Sequence, residues 1–176
     1  CEPGAPAEET VNIVDTRTTL FVLDAGMLSL LTNPTASAAA LECHRWTRDL
    51  LRQGGRFAIP EIADYEVRRE LLRTDRMRAL RALDDLKAAM FYLPLSTDAL
   101  LRASEIWAAA KKFGRTDLGV GVREGALDMD VILAAQALVA GRASGLNPVV
   151  VTTHVAHLGI FAQSDEWHNL RVDDRP

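Results

Sequence analysis

Cysteine is nearly absent: Cys1 and Cys43 are the only two in 176 residues. They form neither a disulfide framework nor a metal-ligand spacing. With no signal-like apolar segment, this predicts a reducing, cytoplasmic setting. No apolar run is long enough to span a bilayer, which argues against a membrane protein. Positive charge is not in excess either. Twenty Lys and Arg against 24 Asp and Glu give a formal net charge of −4. A general electrostatic grip on nucleic acid is thereby disfavoured, but a local basic patch beside an acidic metal site is not. Internal repeats and low-complexity core segments are also missing. The chain starts at Cys1 rather than Met; we read this as trimming rather than lipidation.

What is present is an ordinary globular composition, 48% apolar and 25% charged, with enough chain for one real core. Residues 1–18 are expected to be a flexible N-terminal tail, and 19–176 a single domain. Val11–Thr18 reads as an irregular lead-in. Leu20-Phe21-Val22-Leu23 is an unbroken apolar run, and Val149-Val150-Val151 is another. Runs without alternation suit strands buried on both faces of a parallel sheet. Shorter strands are predicted at Phe57–Ile59, Met90–Leu95 and Asn169–Val172. Helices are predicted between them: over Ala36–Leu51 with Leu41, Trp46, Leu50 and Leu51 inward, and from Glu61 with Ile62, Tyr65, Leu71 and Leu72 inward. Further helices follow over Arg76–Ala89, after Ser96-Thr97-Asp98 with Leu100, Leu101, Ile106 and Trp107 inward, and from Asp128 to Gly141. Trp46, Trp107 and Trp167 are read as core packing. Lys111–Gly125 reads as a Gly-containing loop. The alternation predicts a three-layer α/β/α sandwich with a central parallel sheet.

In such sheets ligands gather beyond the carboxyl ends of the strands. Asp24 stands there, after the first strand. Glu66 falls in the early turns of the helix after the second strand, and Asp128 and Asp130 at the start of a buried helix. Carboxylates pressed together at about 4 Å repel by roughly 4 kcal/mol at an effective dielectric near 20. Protons or a cation must offset that. All-oxygen donors select Mg²⁺ or Mn²⁺, ions suited to phosphodiester chemistry. Each acid also has a plain structural role open to it. Asp128 or Asp130 suits a helix N-cap, Glu66 suits an Arg pair, and Glu70 is more structural than catalytic. The arginines from Arg68 to Arg81 suit a charged face, with phosphate contact or partner docking as the functional alternative. His154 draws interest only because it follows a buried strand. Ser29 and Cys43 show no base and orienting partner, so a hydrolase triad is disfavoured.

Four segments, taken in order and spacing, resemble the PIN-domain family and within it the VapC-type toxin endoribonucleases. They are Phe21-Val22-Leu23-Asp24, Ile59 to Leu71, Asp128 to Ala137, and Val150 to Leu158. The resemblance covers Leu20 to Phe161. It implies a parallel sheet sandwiched by helices, and an acid quartet that binds Mg²⁺ or Mn²⁺ and cleaves RNA. By position Asp24 matches the first acid, Glu66 the second and Asp130 the third, with Asp128 near the third. The fourth position, usually Asp or Asn, is His154 here. Imidazole suits Mn²⁺, or a contact behind the ligands, better than Mg²⁺. Thr152 matches a hydroxyl that accompanies such sites. The resemblance further implies a homodimer and a small cognate antitoxin.

The leading expectation is therefore a metal-dependent endoribonuclease, the toxin of a toxin–antitoxin pair. The alternative is a catalytically weakened RNA- or partner-binding module on the same fold, disabled at His154. A phosphoryl-transfer protein ranks last. A dehalogenase-type phosphatase needs a second Asp two residues after the first, where this chain has Gly26. A receiver needs an acid pair near the first strand and an Asp ending the third, and neither is evident.

Overall fold

The computed structural model describes residues 12–34, 37–112, 124–153 and 155–172, with side chains for all of these except 124–127, 156 and 157. Its centre is β2, Thr19–Leu23, buried at every position. β2 pairs in parallel with β3, Arg56–Pro60, on one side and with β5, Asn147–Thr152, on the other. β4, Phe91–Leu93, and β6, Ser164–Glu166, are the outer strands of the order β4-β3-β2-β5-β6. Every pairing is parallel, so all five carboxyl ends lie along one edge. Helices cover both faces, giving the three-layer α/β/α sandwich expected from strands apolar on both sides.

The helices are α1 Ala25–Thr32, α2 Ala38–Arg52, α3 Glu61–Arg73, α4 Met77–Ala89, α5 Thr97–Lys112, α6 Glu124–Ser144 and the single turn α7 Val155–Leu158. Part of the presumed lead-in is a strand. β1, Asn12–Val14, pairs in parallel with β7, Leu170–Val172, in a separate two-stranded ladder. An aromatic cluster fills the core beside β2. Phe21 stacks on Phe57 with centroids 5.1 Å apart, and Trp46 meets both edge-on. Trp167 packs on Trp46 at 6.2 Å.

Several inward faces differ from the sequence expectation. In α5 the buried residues are Ala99, Ala103 and Ala110, while Leu100, Leu101 and Trp107 are exposed. Alanines let α5 lie close to α6, where Ala103 packs with Val131 and Ala135. Ile106 does pack against this cluster as expected, but periodicity weighted the large side chains and so misplaced the other three. In α2 the buried set is Ala40, Cys43, Thr47 and Leu50, with Leu41 and Leu51 exposed. In α3 it is Ile62, Ala63, Asp64 and Val67, with Tyr65 and Leu72 exposed.

Helix α6 starts before Asp128 and runs through Gly141. Asp128 is therefore inside the helix rather than at its N-cap. Gly141 does not end α6 but lets it pass Pro148: a Cβ there would sit 2.6 Å from the proline ring. The expected Gly-containing loop is shortened, because α5 extends to Lys112 and α6 begins at Glu124. The rest of it lies outside the described residues. Among the described residues no helix is long and apolar enough to cross a membrane.

Candidate active site

The ladder itself places the first acid. Pairing of Leu23 with Val151 is continued by Asp24 N–H donating to the Val151 carbonyl at 3.1 Å. Asp24 thus leaves β2 alongside Thr152, the last residue of β5. It is also the N-cap of α1: its Oδ1 accepts the Met27 N–H at 2.7 Å. The Thr152 hydroxyl donates to its other oxygen at 2.5 Å. Both residues are buried, Thr152 fully. These bonds fix the carboxylate in place at the sheet edge.

A cleft of about 300 Å³ opens there, lined by Asp24, Glu66, Asp130, Thr152 and Thr153 with an apolar wall including Ile62 and Leu133. Three acids from separate elements, β2–α1, α3 and α6, therefore share one cleft. The electrostatics agree. Burial raises the Glu66 carboxyl above its ordinary value; the Arg69 guanidinium opposes this, and the Asp24 charge adds to it. The donors are oxygens, of the type that suits Mg²⁺ or Mn²⁺. As placed, no group of three or more His, Cys, Asp or Glu among the described residues is gathered to hold a metal ion. The acids line a common cleft without forming a closed ligand set.

Two other candidate acids fall outside this arrangement. Asp128 is exposed and lines a groove between α5 and α6 with Leu100, Trp107 and Val131. Two positions along a helix turn a side chain by about 200°, so Asp128 and Asp130 serve different faces. Its sequence-based placement near the third acid is not matched by a shared cleft. Glu70 forms a bidentate pair with Arg73 at the surface, a structural role as expected. His154 lies outside the described residues. Cys43 is buried in α2, and burial pushes its thiol up to about 11, which disfavours the thiolate.

Sequence reasoning missed three contributors. Gly26 brings α1 against the cleft wall, where a Cβ would collide with the Thr153 side chain. Asp64, nearly fully buried in α3, receives Arg68 at 3.0 Å, Lys87 at 3.3 Å and the Tyr92 hydroxyl at 3.2 Å. Gln136, buried in α6, bonds to both α3 and β4. For Gly26 the available signal was its place just after Asp24. For Gln136 it was a lone amide in an apolar helix.

The fold and the acid-lined cleft place the molecule among parallel α/β proteins with carboxylates at the strand ends. No family model matches the chain, and no curated protein matches it in sequence. Solved structures do match. The structure of VapBC2 from Rickettsia felis bound to a DNA fragment from its promoter gives a TM-score of 0.61 at 13% identity, covering 84% of this chain and 98% of that one. VapBC-1 from nontypeable Haemophilus influenzae gives 0.59 at 17% identity, over 85% and 98%. DNA-bound VapBC from Salmonella typhimurium gives 0.55 at 19% identity, over 85% and 98%. The chain has the PIN-like fold of these structures.

Proposed function

We propose that this chain is a metal-dependent endoribonuclease and the toxin of a toxin–antitoxin pair. The observation that carries the reading is one cleft at the carboxyl edge of the sheet lined by Asp24, Glu66 and Asp130. Likeness in fold to VapBC structures supports it. Asp24, Glu66 and Asp130 would hold Mg²⁺ or Mn²⁺. The ion, when bound, supplies Lewis-acid stabilisation of charge building on a phosphodiester. The chain's own part is positioning. Met27 N–H and the Thr152 hydroxyl hold Asp24 in one orientation. Ile62, Leu133 and Leu158 form the apolar side of the cleft, which limits water and strengthens the charges opposite. The partners of this reading are an RNA substrate, a cognate antitoxin and a second copy of the chain.

The test is cleavage of single-stranded and structured RNA by the purified chain with Mg²⁺ or Mn²⁺. Cleavage should stop with EDTA and in Asp24→Asn. Unchanged cleavage in Asp24→Asn excludes this site. A second reading, a weakened binding module, draws on His154 at the fourth acid position and on the open arrangement of the described acids. It expects RNA or partner binding without turnover, and activity gained in His154→Asn where the parent chain has none.

A further inference from the structure

Helix α3 carries Glu66 into the cleft, yet its start lacks the usual device for fixing a helix end. Its N-cap is Pro60, which offers no side-chain acceptor and makes no capping bond. The first turn of any helix leaves N–H groups without an intrahelical partner. Here one of them, the Ile62 N–H, is taken by a residue from another element. Gln136 Oε1 accepts it at 3.3 Å, while Gln136 Nε2 donates to the Leu93 carbonyl of β4 at 2.7 Å. Both ends of the amide are used, and the side chain is 2% exposed in a helix otherwise buried through Val131, Leu133, Ala134, Ala135 and Ala137.

A buried amide in such a stretch costs free energy unless it is fully bonded. Its position explains what it does. Ile62 is one helical turn before Glu66, and Gln136 is less than two turns after Asp130. The bond therefore ties the two acid-bearing helices together close to the acids themselves. The Leu93 bond fixes the amide's orientation, so the carbonyl end points at α3. Pro60 and Glu61 bring α3 directly off the end of β3, with no loop to absorb a shift between the helices.

We propose that Gln136 is a positioning residue that caps α3 from α6 and thereby sets the separation of Glu66 from Asp130 across the cleft. This rests on the reading of the cleft as a metal site. Removing the amide lets the first turn of α3 drift against α6, and the acids then bind a hard cation less well. Partners lying behind metal ligands carry effects of this kind, about tenfold to a hundredfold in affinity.

The test uses the full chain with Gln136→Met, which keeps volume and removes both bonds, and Gln136→Asn, which keeps the amide but shortens its reach. Mn²⁺ affinity is measured by titration calorimetry, and amide hydrogen exchange over Ile62–Glu66 is measured without metal. The expected result is about tenfold weaker Mn²⁺ binding and faster exchange in that turn, with exchange at Phe21–Leu23 unchanged. Gln136→Asn, the milder change, keeps this measurable should Gln136→Met fold poorly. Unchanged exchange at Ile62–Glu66 in either folded variant overturns the cap. Faster exchange with unchanged Mn²⁺ affinity reduces Gln136 to a structural bond and overturns its positioning role. If the parent chain binds no Mn²⁺ at all, the metal-site reading fails, and the positioning of metal ligands falls with it. The exchange data then report separately on whether the cap exists.

Discussion

Asp24 and Asp64 are buried to similar depth in the same domain, 8% and 4% exposed, but their surroundings differ in kind. Asp64 is held by Arg68, Lys87 and the Tyr92 hydroxyl, and Arg68 also reaches Asp84 at 2.7 Å. Its charge is met within the fold and joins α3, α4 and β4. Asp24 accepts from a backbone N–H and a hydroxyl, and stands in a cleft with Glu66 and Asp130. Depth of burial alone therefore does not say what a carboxylate does. Opposite charges make Asp64 part of the framework, whereas on the reading proposed above Asp24 shares its cleft with Glu66 and Asp130 to hold a cation.

The sharpest way to break this contrast is Asp24→Asn. Asparagine is also a good N-cap, so α1 is retained and stability should change by no more than about 1 kcal/mol. RNA cleavage should fall about a thousandfold, the scale of several kcal/mol of lost charge stabilisation. Cleavage rates and urea unfolding of the same preparation check both halves. A large stability loss with cleavage intact would make Asp24 a framework acid like Asp64.

Asp64→Ala should do the reverse. Removing one partner of a buried ion pair is costly, but the Arg68 and Lys87 side chains are 29% and 37% exposed and recover water. The expected loss is about 2 kcal/mol in unfolding free energy, read as a lower urea midpoint. Metal dependence of cleavage should persist. A loss below about 0.5 kcal/mol would place this cluster with ordinary surface pairs.

How visible each acid was in the sequence follows from the same contrast. Asp24 was legible because it ends Leu20–Leu23, a run that suits a strand buried on both faces, and because such strand ends gather ligands. The parallel sheet was legible for the same reason, from that run and from Val149–Val151. Asp64 was not. In Ala63-Asp64-Tyr65-Glu66 it resembles any solvated helix acid, and its partners Lys87 and Tyr92 come from elements whose packing the chain order does not reveal. The inner faces of α2 and α5 were hidden in a related way. Close helix packing favours alanine, while hydrophobic patterning follows the large side chains that remain outside.

Thr152→Val sharpens the contrast at smaller scale. It keeps shape and burial but removes the donor to Asp24. Stability should fall by about 1 kcal/mol, and Mn²⁺ should bind about tenfold more weakly. Thr152→Ser should recover most of both, as calorimetry and urea unfolding would show. Equal weakening in the Ser variant would assign the effect to packing rather than to the hydroxyl.

The smallest effect carries the clearest sign. Burial and the Asp24 charge, against the opposing Arg69, raise the Glu66 pKa in the folded chain above its ordinary 4.5. The native state then holds that proton at pH values where the unfolded chain has released it. This contribution to stability is fully present below the unfolded pKa and is lost as pH rises through the folded one. Glu66→Gln removes that slope. Without divalent ions at pH 7 it should be as stable as the parent chain or a few tenths of a kcal/mol more so, since Glu66 is half-buried and partly screened. Added Mn²⁺ should stabilise the parent more than the variant, reversing their order, because only the parent offers the extra carboxylate. Urea unfolding between about pH 4 and pH 8, with and without Mn²⁺, reads both signs. A variant less stable than the parent without metal would mean that Arg69, not Asp24 and burial, dominates Glu66, and the repulsion assigned to the cleft would be absent.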